Sequence, residues 1–184
     1  TVKPSLTVLV ERVLDGHDLP NINPIVNYYN YLELKYKIVA GAEDLDKYVG
    51  DVQLKYAKDD SLFRSLGKEK AKEVYPGEIV WEDDHSVCCR MWGWRQSERT
   101  KVDKGTKDII FYFDMLRDDE EALADMLKEF SLGMEKYFGA EIEAFVLSKN
   151  NSSKEIDFET KTLEEIGGHK VIQDYLEGKE VIKE

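Results

Sequence analysis

Between residues 38 and 113 the apolar residues come only in short runs, each closed by turn-forming residues. These runs are IVA before Gly41, DVQLKYA from Asp51, EIVWED after Pro76-Gly77, SVCCRMW from Ser86, and KDIIFYF up to Phe113. Runs this short, rich in Val, Ile, Phe and Tyr, suit strands and leave no room for a helix. The middle of the chain is therefore expected to be a sheet, largely antiparallel because the intervening turns are short.

Helical spacing is confined to the two sides of this block. Pro4 and Ser5 precede Leu6, Leu9, Val10, Val13 and Leu14, one apolar stripe on a short helix that exits at Asp15, Gly16 and His17. Asn23 is a natural N-cap and Pro24 a natural first residue for a second helix, with Ile25, Tyr29, Leu32 and Tyr36 along one face. The acidic cluster Asp118 to Glu121 complements the N-terminal dipole of a long third helix, whose stripe is Leu123, Met126, Leu127, Phe130, Met134 and Tyr137. Gly139 ends it, EIEAFVL (141–147) reads as a last strand, and SKNNSSKEIDFETKT as a mobile polar loop. The stretch from Gly168 has room for one short helix. Helices segregated around an antiparallel block give an α+β architecture, with one domain over 1–148 and a polar linker and C-terminal extension over 149–184, packed back on it.

A chain of 184 residues with a formal net charge of -12 builds one core and lacks the broad cationic face that non-specific binding to nucleic acid or anionic lipid requires. Any RNA contact must be local, and neither DNA nor a membrane is an expected partner. No uncharged apolar run is long enough to span a bilayer, and the N-terminal stretch carries Glu11 and Arg12 where a signal peptide needs its apolar core. A reducing, cytoplasmic setting suits the adjacent Cys88 and Cys89, which close no loop and lack zinc spacing. The chain lacks an initiating methionine, which points to trimming or to a longer parent.

Several chemistries find no support in these residues. His17, His85 and His169 stand far apart and read as isolated surface or loop histidines. Glycine-rich phosphate loops and a nucleophile elbow are missing, so no cofactor is expected. As strand neighbours, Cys88 and Cys89 point to opposite faces, and neither is expected to be a nucleophile. Glu43, Asp44 and Asp46 lie around a tight turn and are expected to cap backbone amides rather than hold a metal.

The stretch RMWGWRQSERTK (90–101) is the exception, gathering two tryptophans and four cations in an acidic chain. It is either an ion-paired structural loop or the wall of a pocket for a planar or anionic ligand. Ser97 has no histidine near it in sequence to activate it.

Taken in order, NINPIVNYYNYL, GAEDLDK, PGEIVWEDD, WRQSERTK and TKDIIFYF resemble the B3/B4 domain of the phenylalanyl-tRNA synthetase beta chain, and most closely its free-standing relatives, from about Leu19 to Leu116. The resemblance implies a three-layer α+β unit with a β-sandwich core and flanking helices. It also implies an editing site that hydrolyses misacylated tRNA. Asn27 and Tyr29 stand where the family has an aspartate and a pocket threonine, while Asn30 is kept. The family's editing histidine is Gly41 here. Its small Ala-Gly wall is Cys89 and Arg90, and its Gly-Gly pair is Gly93 and Trp94. In the WGWRQSERTK stretch only the Ser-Glu pair is unchanged, as Ser97 and Glu98, the glutamate being the family's reader of a tyrosine hydroxyl.

The substrate-facing set implied is Asn30, Gly41, Trp94, Arg95, Gln96, Ser97 and Glu98, with Trp92, Arg99 and Lys101 toward RNA. Glu98 would bind the amino acid, Arg95, Arg99 and Lys101 the phosphates, and Trp92 or Trp94 the terminal adenine. Two functions follow. One is a tRNA-binding domain acting in trans as a hydrolase of mischarged aminoacyl-tRNA. The other is a non-catalytic module on the same fold that binds an amino acid, a nucleotide-like metabolite or RNA.

Overall fold

Pro4 has no amide hydrogen to lose at a helix start, and it directly precedes α1 (Ser5–Leu14) in a computed structural model that describes residues 2–178 apart from 116 and 118. The expected stripe of α1 is only partly covered. Leu9 is buried, whereas Val10, Val13 and Leu14 are exposed, because the helix meets α2 (Pro24–Tyr36) and the first strand near its N-terminal half alone. In α2 the Asn23 side chain accepts a hydrogen bond from the Val26 amide at 2.9 Å, and the helix ends on left-handed Lys37. Its buried face is Val26, Tyr29 and Leu32, joined by Asn30 and Glu33, while Ile25 and Tyr36 are half-buried.

The strands are β1 (Val39–Asp44), β2 (Gln53–Tyr56), β3 (Leu62–Phe63), β4 (Lys72–Glu73), β5 (Ile79–Glu82), β6 (Val87–Arg90), β7 (Arg95–Gln96) and β8 (Ile109–Asp114). All their pairings are antiparallel: β1 with β8, β2-β5-β6-β7 as a second sheet, and β3 with β4 as a small hairpin. After Asp119, whose carboxylate accepts from the Ala122 amide, α3 (Glu120–Phe138) runs to Gly139 in the left-handed conformation. Asp118, part of the expected N-terminal acidic cluster, lies outside the described residues.

Alternation along β1 separates two environments. Ala40 and Ala42 face the helices, packing with Val26 and Tyr29, and their small size lets α2 approach closely. Alongside them, Phe111 and Phe113 of β8 meet Met126, Phe130 and Met134 of α3. Gly41 and Glu43 therefore face the other way, as does Tyr112, which is paired with Gly41. That face meets the second sheet through Trp81, whose ring lies 4.5 Å from that of Tyr112. Helices, a two-stranded sheet and a four-stranded sheet thus stack as an α+β unit.

Two expectations need correction. EIEAFVL forms no strand; residues 141–147 are exposed and join no sheet among the described residues, although Lys154 pairs with Glu143 at 3.3 Å and the Asn151 side-chain amide donates to the Val146 carbonyl. His85 lies on the bend between β5 and β6, as the loop alternative has it, but it is buried and not at the surface. Asp83 caps its turn, accepting from the His85 and Ser86 amides at 3.0 Å each, and tucks the imidazole under Tyr175. Burial, together with the Arg99 charge, lowers its pKa to about 3 and keeps it neutral.

The C-terminal segment lies on the domain. Val49 pairs with Lys161, and α4 (His169–Glu177) buries Tyr175 completely among Leu62, Ala71 and Ile172. The Tyr175 hydroxyl accepts from the Arg64 amide at 3.0 Å, and the Arg64 guanidinium stacks over its ring.

Candidate functional site

Local backbone geometry explains why RMWGWRQSERTK turns where it does. Met91, Trp92 and Gly93 are all left-handed, with φ of 45°, 51° and 106°. For the two non-glycine residues this costs roughly 1–2 kcal/mol each. At Gly93 a side chain is excluded outright, since a Cβ there would lie 2.7 Å from Val39 Cγ1. The Ser5 amide donates to the Gly93 carbonyl, so the turn is pinned between α1 and β1.

Most of the cations in this stretch are spent on carboxylates. Arg90 makes a bidentate pair with buried Glu78, at 2.7 and 2.6 Å. Arg99 is buried and donates to Asp83 at 2.7 Å, to the Ser86 hydroxyl at 3.1 Å and to the Lys47 carbonyl. It therefore has no guanidinium edge for a phosphate, which corrects its expected role in RNA contact. The reason is that Asp83, sixteen positions earlier in sequence, folds beneath it. Lys101 pairs with Glu98, which also accepts from the Gly67 amide, so Glu98 is ionised and held at the 64–67 turn. Arg95 is exposed and stacks with Arg90 over Trp94, at 5.1 and 5.3 Å from the ring centre. It has no carboxylate partner among the described residues.

The remaining predicted residues divide by depth. Ser97 is fully buried, with its amide on the Cys88 carbonyl at 2.7 Å and its hydroxyl accepting from the Arg99 amide; it fixes the chain instead of facing a ligand. The Gln96 side chain donates to the Ala42 carbonyl and ties β7 to β1. Trp92 is half-buried beside Asp114 with its indole nitrogen buried, so that its polar edge does not face outward to RNA. Asn30 is buried on α2.

Gly41 leaves open space beside it. A Cβ built on it would meet nothing within 4 Å, although the strand around it is part of the core. Around this open position lie Tyr112, Glu43 and Asp114 on the β1–β8 face, with Trp81 and Cys89 of the second sheet across from them.

Its ionisable groups are shifted toward their neutral forms. Burial raises the Cys89 thiol to about 12, and raises Tyr112, Tyr48 and Glu43 well above their ordinary values. The neighbouring Tyr48 and Tyr112 hydroxyls share a 2.6 Å hydrogen bond. Asp114 is raised by burial to about 6, the Trp92 indole partly opposing, and so is ionised at neutral pH.

Glu43, Asp114, Tyr112 and Trp81 were not foreseen as site residues. Strand alternation in VAGAED, which puts positions 41 and 43 on one face, was the available signal for Glu43. Among the described residues no group of three or more His, Cys, Asp or Glu is placed to hold a metal, and no helix is long and apolar enough to cross a membrane.

Comparison with known proteins adds one finding. A model of the B3/4 domain family matches residues 1–131, from the N-terminus to the middle of α3. Among curated proteins none matches this sequence.

Proposed function

Since the chain belongs to the B3/4 domain family, the domain found in the phenylalanyl-tRNA synthetase beta chain, we propose that it is an RNA-binding module that receives the aminoacyl end of a tRNA in the cleft beside Gly41. The observation that carries this reading is the open space at Gly41, between buried Ala40 and Ala42 in β1. Arg95 stands free at the surface for a backbone phosphate, and Trp94, stiffened by Arg90, offers a stacking plane for a base once Arg95 swings toward the RNA. With few free cations the affinity is modest and the salt slope shallow.

A second reading, hydrolysis of the aminoacyl ester, is favoured by Asp114. It shares the Gly41 face and holds its proton loosely enough, at about 6, to take one from water at neutral pH. An aminoacyl ester is already activated, so a positioned water and a general base suffice for attack at its carbonyl carbon, with the tRNA hydroxyl as leaving group.

One experiment tests both. Filter retention of charged and uncharged tRNA, and deacylation of a panel of aminoacyl-tRNAs, are measured for wild type, Arg95→Ala, Glu98→Ala and Asp114→Asn. Preferential retention of charged tRNA with no deacylation above buffer supports the binding module. Deacylation lost in Asp114→Asn supports the enzyme, and equal retention of charged and uncharged tRNA removes the aminoacyl-end reading.

A further inference from the structure

Glu43 carries a buried carboxylate oxygen that nothing in the protein satisfies. The residue is 3% exposed, and its Oε2 has no hydrogen-bond partner. Leaving such a group unpaired costs about 1–3 kcal/mol. The Thr100 hydroxyl, the first group to oppose the rise in Glu43's pKa, is itself buried without a partner of good geometry. Two buried polar groups without well-placed partners therefore adjoin one another, and the Gln96 side chain, which also opposes the rise, is already held by the Ala42 carbonyl.

Their position relates them to a ligand. Glu43 is two residues from Gly41 on the same strand face, the neighbouring side-chain position to the one left open. The cation nearest in charge, Arg99, is committed to Asp83 and does not pair with Glu43. Every other titratable group that feels Glu43 is neutral or acidic: Tyr29 from α2, Tyr48, Tyr112 from β8, Cys88 and Cys89 from β6, and Asp83. The site thus offers a carboxyl, a hydroxyl and aromatic walls, and the one cation whose charge reaches Glu43 among the described residues, Arg99, is already paired with Asp83.

We propose that Glu43, with Thr100, receives a protonated amine of the bound ligand. On the reading above, which this inference rests on, that amine is the α-ammonium of the aminoacyl group. An entering ammonium supplies the missing donors and a charge-assisted bond in a site shielded from water. Entry draws the proton off Glu43, so the amine exchanges for a proton at the carboxylate and the site's net charge is conserved.

The probe is bulk tRNA carrying mixed amino acids through a hydrolysis-resistant 3′-amide, compared with the same material N-acetylated and with uncharged tRNA. Wild type is expected to retain the free-amine form at least tenfold more tightly than the N-acetylated form. Glu43→Gln, the isostere of the protonated acid, is expected to melt like wild type and to erase that preference. If wild type prefers charged over uncharged tRNA but ignores acetylation, or if Glu43→Gln keeps the preference, the amine assignment is overturned while the RNA reading stands. If charged and uncharged tRNA are retained alike, the RNA reading falls and takes the assignment with it.

Discussion

Arg99 donates to Asp83 at 2.7 Å with both side chains almost fully buried, so the pair can lose neither partner without stranding a charge. Arg99→Leu or Asp83→Leu is expected to destabilise the fold by about 3–5 kcal/mol, read as a lower urea midpoint at unchanged slope. Asp83→Leu also frees the His85 and Ser86 amides, which Asp83 caps. A loss below about 1 kcal/mol would show the pair to be peripheral.

Arg95 provides the contrast on the same short stretch. It is exposed and stacked only on Trp94, so Arg95→Ala is expected to change stability by less than about 0.5 kcal/mol. Its effect belongs to RNA: uniformly weaker retention across tRNAs and a salt slope reduced by about 1. Unchanged retention at low salt would place the phosphate path elsewhere.

Where the chain could be read in advance, the reason was local. Asn23-Pro24 starts a helix by capping and a fixed φ, and Gly139 ends one, because those effects act within a few residues. The apolar runs of the middle became strands, their short turns leaving few alternatives. What could not be read was non-local. Nothing near Arg99 announces that Asp83 will fold beneath it, and the apolar stripe of α1 carries no sign that half of it stays uncovered. EIEAFVL has the pattern of a strand but gains no strand partner among the described residues. Gly41 was legible only as a missing histidine; that its absent side chain opens beside Tyr112 follows from the register with β8.

Gly41 is the position where volume and function separate. Glycine inside a strand weakens it by roughly 0.5–1 kcal/mol, and no neighbour stands within 4 Å to resist a methyl group, so Gly41→Ala is expected to be neutral or stabilising. Gly41→Leu is expected to fill the cleft and reduce retention of charged tRNA at least tenfold, leaving that of uncharged tRNA unchanged. A Leu variant that folds and still discriminates charged tRNA would move the aminoacyl site away from this cleft.

The pH dependence of stability carries the last prediction. Burial raises Glu33 to about 7, with the Ser5 hydroxyl, 2.5 Å away, opposing it. Between the ordinary 4.5 and this value the folded chain binds more protons than the unfolded one. The stability Glu33 supplies as a neutral acid is therefore complete below pH 4.5 and is lost as pH climbs to 7. At about 1.4 kcal/mol per pH unit that amounts to about 3 kcal/mol. Asp114, raised to about 6, acts with the same sign from its ordinary 3.8 upward. His85, lowered to about 3, acts oppositely: its contribution is complete above pH 6.5 and is lost as pH falls. The two slopes oppose one another between pH 4.5 and 6.5, and of these three groups Glu33 alone continues to weaken the fold above that range, with buried Glu43, also raised, acting in the same direction. Glu33→Gln is therefore expected to gain on wild type progressively from pH 5 to pH 8, by about 3 kcal/mol in urea unfolding, because glutamine cannot ionise. A constant offset between the two proteins across that range would mean that Glu33 is not driven neutral by its burial against Ser5 and β1.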